Sequence, residues 1–183
     1  MPTSLYFDDP DEGLSPSTSH PVFVRVAADD FYYDCGDDFS PFGNDDGSDT
    51  LAALQDWYQE QAGGKPPQVM VFLRQHLSDW DLPVPEDMLS RDEAAKAQWL
   101  AQDDMHHRYL QSVCRARVAV AFGQLKIAGA IDADVQQQAR LALACQQWLN
   151  QVARRQYPDW EYADQDSQRL ALMHGALEHA NAP

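Results

Sequence analysis

The sequence predicts an all-α fold, a single domain of five or six orthogonally packed helices behind a disordered acidic N-terminal lead-in. Apolar residues recur at helical spacing along most of the chain, as in Leu51, Leu54, Trp57 and Tyr58. Glycines, prolines and Asx residues punctuate those stripes where helices start and stop. Sustained apolar–polar alternation is scarce, so strands find little support. A length of 183 residues with 44% hydrophobic content suits one packed domain and is short for two.

Residues 1–20 are rich in Asp, Pro and Ser and read as a mobile lead-in, leaving 21–183 as the helical domain. Val22, Val24 and Val26 alternate as in a strand, but the alanines of "RVAADDFYY" favour helix. Ser40-Pro41-Phe42-Gly43 has β-turn chemistry, with Pro second and Gly fourth. A helix should then begin with Asp46 as N-cap and Asp49 near its positive end, and stop at Gly63-Gly64. Pro66-Pro67 precede a helix over about 68–79, with Val69, Phe72, Leu73 and His76 or Leu77 turned inward. Ser90 and Glu93 have capping-box spacing. The helix they open runs to about Ala128, with a kink near Asp103-Asp104 and Gly129 as its terminator. From Tyr109 to Ala128 it is apolar on most sides, the mark of a central helix. Asp132 caps a helix of about twenty residues, and Leu170, Met173 and Leu177 mark the last one.

The acidity is uneven. Residues 1–104 hold 22 Asp and Glu against five Lys and Arg, a net of −17, whereas residues 105–183 hold seven against eight, a net of +1. Ten acids and no base lie between Arg25 and Lys65. The whole chain, at −16, is a poor ligand for phosphate backbones or anionic membrane surfaces and a good one for basic proteins. Three scattered cysteines without C-x-x-C spacing argue against a zinc ribbon or thioredoxin motif and for a reducing compartment. The N-terminus lacks the basic and apolar regions of a signal peptide, and "VAVAFGQLKIAGAI" is too short and too charged to span a bilayer. These features together imply a cytoplasmic protein.

The stretch from Phe31 to Asp49 crowds aspartates against aromatic rings, and three readings compete for it. As an EF-hand it fails: with Gly47 at the sixth position, Phe42 and Ala53 stand where acids are required. As structure, Pro41 and Gly43 set the turn, and Asn44 or Asp45 accepts backbone N–H groups. Asp46, Gly47 and Asp49 would build the helix start, and other aspartates would pair with Arg115 or Arg117 on the apolar helix. As recognition, Tyr32, Tyr33, Phe39 and Phe42 supply anchors, while Asp34, Asp37 and Asp38 supply charge for a basic partner.

"SPFGNDDGSDTL", followed much later by "VAFGQLKIAGAID", resembles the YfeS-like family of bacterial proteins, over about His20 to Gln147. The resemblance implies a bacterial cytoplasmic origin and a loop that is a shared structural feature. It carries over no catalytic residue.

No G-x-S-x-G, H-E-x-x-H, P-loop or G-x-G-x-x-G occurs. Asp103 and His107 are four apart on a helix, which makes them a weak metal-ligand pair, with His106 adjacent. The expectation is therefore a non-enzymatic acidic protein without a cofactor. It would neutralise a basic protein partner, as an immunity protein does its cognate toxin. The alternative is a divalent-metal module or enzyme using the Asp-rich loop with His106 or His107.

Overall fold

A computed structural model describes residues 4–61 and 68–181. Among them are seven α-helices and no strand: α1 (Pro21–Val26), α2 (Asp45–Glu60), α3 (Val69–Asp79), α4 (Glu93–Leu100), α5 (His106–Ala128), α6 (Ala133–Gln156) and α7 (Ala163–His179). Short 3-10 turns cover Asp30–Tyr33 and Met88–Ser90. The helix count thus exceeds the expected five or six, partly because the helix expected from Ser90 to Ala128 is two. Asp103 Oδ1 accepts the Met105 N–H, a local bond that competes with helix, and the helix is broken between Leu100 and His106. Across this break His106 stacks on Trp99 at 3.9 Å, and its Nδ1 lies 2.7 Å from the Trp99 carbonyl oxygen.

The core is built round α5. Every residue from Ala116 to Ile127 is buried, so this helix is surrounded on all sides, as its apolar pattern requires. It packs against α1, α2, α3, α4 and α6, and α7 packs on α6. Side-chain pairings give the directions. Gln124 meets Asp132, Arg117 meets Gln138 and Cys114 meets Cys145, so α5 and α6 form an antiparallel hairpin. Gln136 reaches Leu177 and Asn150 reaches Ala163, so α7 runs antiparallel to α6. Asp46 meets Ser112 while Leu54 crowds Gly123, so α2 runs parallel to α5. The orthogonal packing expected from the sequence gives way here to lengthwise packing, which lets long apolar stripes bury more of their surface together.

Two further expectations change. Asp92, not Ser90, is the N-cap of α4, accepting the Ala95 N–H at 2.8 Å. Ser90 lies in the preceding 3-10 turn. Residues 4–20, expected to be mobile, form a strap over the C-terminal end of α5. There the last helical carbonyls lack intrahelical partners. Tyr6 N–H donates to the Ile127 carbonyl at 3.0 Å, and His20 N–H to that of Lys126 at 2.8 Å. The fully buried Lys126 ammonium meets Asp8 Oδ1 at 2.9 Å and the Thr18 carbonyl at 3.0 Å. Gly129 ends α5 at φ 76°, as expected of a left-handed cap. Asp132 stands at the N-cap position of α6, but its side chain makes no capping bond. Gly63-Gly64 and Pro66-Pro67 lie outside the described residues. Among the described residues, no helix is long and apolar enough to cross a membrane.

Candidate functional site

The start of α2 is locked by its own sequence. Asn44, rather than Asp46, is the N-cap: its Oδ1 accepts the Gly47 N–H at 2.9 Å, while Asp45 and Asp46 occupy the first turn. The Asn44 Nδ2 donates back to the carbonyls of Ser40 at 3.0 Å and Asp38 at 3.3 Å. A Cβ on Gly47 would fall 2.1 Å from the Pro41 carbonyl oxygen, and one on Gly43 2.2 Å from that of Asp37, so both positions need glycine. Pro41 and Phe42 are buried beneath, with Phe42 against Phe23.

This lock sets two aspartates into ion pairs. Asp46 Oδ2 lies 3.6 Å from Arg115 Nη1 and accepts from the Ser112 hydroxyl at 3.0 Å. Asp37, 8% exposed, accepts from Arg169 Nε at 3.0 Å, and that guanidinium covers the Phe31 ring. Among the described residues Arg117 pairs with no aspartate and donates to Gln138 instead.

Of the seven residues expected to face a partner, Tyr32 and Phe42 are core, and Asp37 is consumed by Arg169. Tyr33 is half-buried against Phe23. Burial makes both phenols weaker acids, pushing their pKa values up, most strongly for Tyr32. Asp34 and Asp38 are exposed, and Phe39 is half-buried beside the exposed Tyr162. The stretch from Phe31 to Asp49 therefore divides: the aromatics mostly serve the core, and the acids mostly serve the surface.

A polar cleft of about 430 Å³ opens where α2 begins. Asp38, Asn44, Asp45 and Asp46 form one wall, and Arg108, Gln111, Ser112 and Arg115 form the other. A separate small cavity shares Asp38, Asn44, Gln111 and Arg115 with this cleft and is also lined by Gln146 of α6 and Asp166 of α7. Burial pushes the Asp166 carboxyl above the ordinary carboxylate range, opposed by the Asn150 hydrogen bond and by Arg115 and Arg154. Sequence reasoning missed Arg108, Gln111, Ser112 and Asp166. The first three, with Arg115, recur at i, i+3, i+4 and i+7, a polar stripe visible on an otherwise apolar helix. Asp166 carried no such signal.

Among the described residues, no three His, Cys, Asp or Glu side chains gather as metal ligands. Asp103 is occupied by its turn, His106 by Trp99, and His107 is exposed.

The chain is 31% identical over 142 residues, 76% of its length, to a protein described as uncharacterized protein YfeS from Escherichia coli (strain K12). Over this stretch the chain is similar to that protein. It spans about half of that relative, 54% of its length. No family model matches the chain, and no solved structure does.

Proposed function

We propose that this YfeS-like chain is a non-enzymatic binding protein whose acidic face, centred on the cleft at the start of α2, takes a basic protein partner. One observation carries the reading. Asp37 and Asp46 are engaged by Arg169 and Arg115, whereas Asp29, Asp30, Asp34, Asp38, Asp45 and Asp49 are exposed and in no ion pair among the described residues. Ion pairs therefore use two of these carboxylates and leave six exposed, of which Asp34 also accepts the Gly36 N–H at 2.8 Å. Such an excess steers a cationic partner and speeds encounter. Asp38 and Asp45 stand on one wall of the cleft, where a lysine or arginine side chain would find them together. Phe39 and Tyr162 supply aromatic surface beside it. A toxin held inactive by an immunity-type protein is the kind of partner this chemistry suits.

The test is capture from native lysate at low and high salt, using the wild-type chain and the variant Asp34→Asn, Asp38→Asn, Asp45→Asn as baits. A basic protein held by wild type at low salt, released at high salt and lost by the variant is the expected result. Equal retention by both baits would remove this face from the account.

A further inference from the structure

A buried arginine without a carboxylate partner, Arg117, lies on the opposite side of α5 from the acidic face. Its cover is the chain after α3. That helix puts Val69, Phe72 and Leu73 into the core. The chain then turns at Asp81, in the left-handed region at φ 48°, and returns through Leu82-Pro83-Val84-Pro85. Prolines deny this segment both helix and ladder hydrogen bonds, so it crosses over the α3–α5–α6 junction as an extended cover. Beneath it is a groove of about 520 Å³, within the span of small-molecule pockets.

The lining is mixed, and its apolar part comes from Met70, Leu73 and Leu77 of α3, Leu82 and Val84 of the cover, and Val113 of α5. Its charged lining residues sort by depth. Arg74, Asp81 and Glu86 are exposed, whereas Arg117 is buried at 8% exposure. Arg117 Nη1 donates to Gln138 Oε1, but its buried Nε has no partner, and no carboxylate lies within ion-pair distance among the described residues. Burial weakens the hold of this guanidinium on its proton, and the two cysteines and Glu86 offset that only in part. Burying a cation without a carboxylate partner is strongly unfavourable. Leucine or methionine would fill the site at less cost, so the arginine needs another account.

We propose that this groove binds a small organic acid, with its carboxylate on Arg117 and its apolar body along α3. The free edge of the guanidinium matches a carboxylate side-on, because Nη1 is already held by Gln138 and Nε is unengaged. A phosphate dianion would call for a second cation at depth, and the groove has none among its described residues. The apolar side chains of α3 and the cover reward an aliphatic or aromatic body laid along them. This inference stands apart from the acidic face, since the two sites share no residue.

The test uses the full chain with octanoate and its neutral counterpart octanamide, read by calorimetry and by the Nε–H resonance of Arg117. Octanoate should bind saturably and shift that resonance, with octanamide about 10–100-fold weaker, the worth of a charge-assisted hydrogen bond. Arg117→Gln should lose affinity by a similar factor and unfold no more easily than wild type. Leu77→Trp, which leaves the guanidinium in place, should block octanoate by filling the apolar end. Equal binding of acid and amide, an unmoved resonance, or full affinity in Arg117→Gln would overturn the proposal and leave Arg117 as a hydrated strut to Gln138. A destabilised Arg117→Gln with wild-type Leu77→Trp affinity would do the same.

Discussion

The tightest dependence of the candidate site on a single side chain is at Asn44, and its two ends can be separated. The residue is 6% exposed, and its carboxamide works in both directions, accepting from Gly47 N–H and donating to the Ser40 and Asp38 carbonyls. Asn44→Ala removes both. Loss of the cap costs about 1 kcal/mol, and stranding the buried Ser40 carbonyl adds about 1–3 kcal/mol. The sum, about 2–4 kcal/mol, corresponds to a fall of about 4–16 °C in melting temperature for a chain of this size. Asn44→Asp keeps the acceptor, and aspartate caps helices as well as asparagine does. It also replaces the donor facing Ser40 by a carboxylate oxygen, so the variant should still lose about 1–3 kcal/mol. Urea unfolding at neutral pH, followed by circular dichroism and tryptophan fluorescence, measures both. Asn44→Asp matching the wild type, with Asn44→Ala down by only the cap, would refute the two-way lock. The loop would then be held by Gly47 and Phe42 alone.

Two other perturbations follow from buried charge. Asp8→Ala leaves the Lys126 ammonium buried without its carboxylate, so stability should fall by about 3–5 kcal/mol. Hydrogen exchange should show the amides of Tyr6 and His20 losing protection first, since both close the end of α5; unchanged protection would mean the strap is held elsewhere. Asp166 gives a pH dependence. Its carboxyl is raised in the fold, so it binds its proton more tightly there than in the unfolded chain. Its contribution is complete below the unfolded value of about 4 and is lost as pH rises through the folded value. Asp166→Asn should therefore flatten stability across that window while keeping the Asn150 hydrogen bond, and be at least as stable as wild type at neutral pH. A loss of more than about 1 kcal/mol at neutral pH would show that the ionised form is needed by Arg115 and Arg154.

Local chemistry was legible in the sequence. The helical class, the central place of α5, the end at Gly129 and the structural nature of the loop before α2 all follow from spacing and turn residues within one element. Cap identity was legible only to within two residues. Asn44, Asp45 and Asp46 are all competent caps, and the role falls to Asn44, whose carboxamide caps Gly47 N–H and also donates to the Ser40 and Asp38 carbonyls. An aspartate–arginine pairing was predictable for Arg115 because an apolar helix cannot bury a bare guanidinium. Its neighbour Arg117 was subject to the same reasoning and found Gln138 instead, since α6 and not the acidic loop covers that side.

Residue spacing and composition alone specify a helical protein with an acidic surplus larger than its caps and turns consume. Tertiary structure alone decided which carboxylates make up the surplus. Asp37 and Asp38 are adjacent in the chain and alternate only in direction. Arg169, 132 residues away, engages the first, while the second stands in the cleft. The same holds for the rings, where Tyr32 is buried and Phe39 reaches the surface. Burial and pairing depend on which helix faces a segment, and that is a property of the packed chain rather than of any stretch of it.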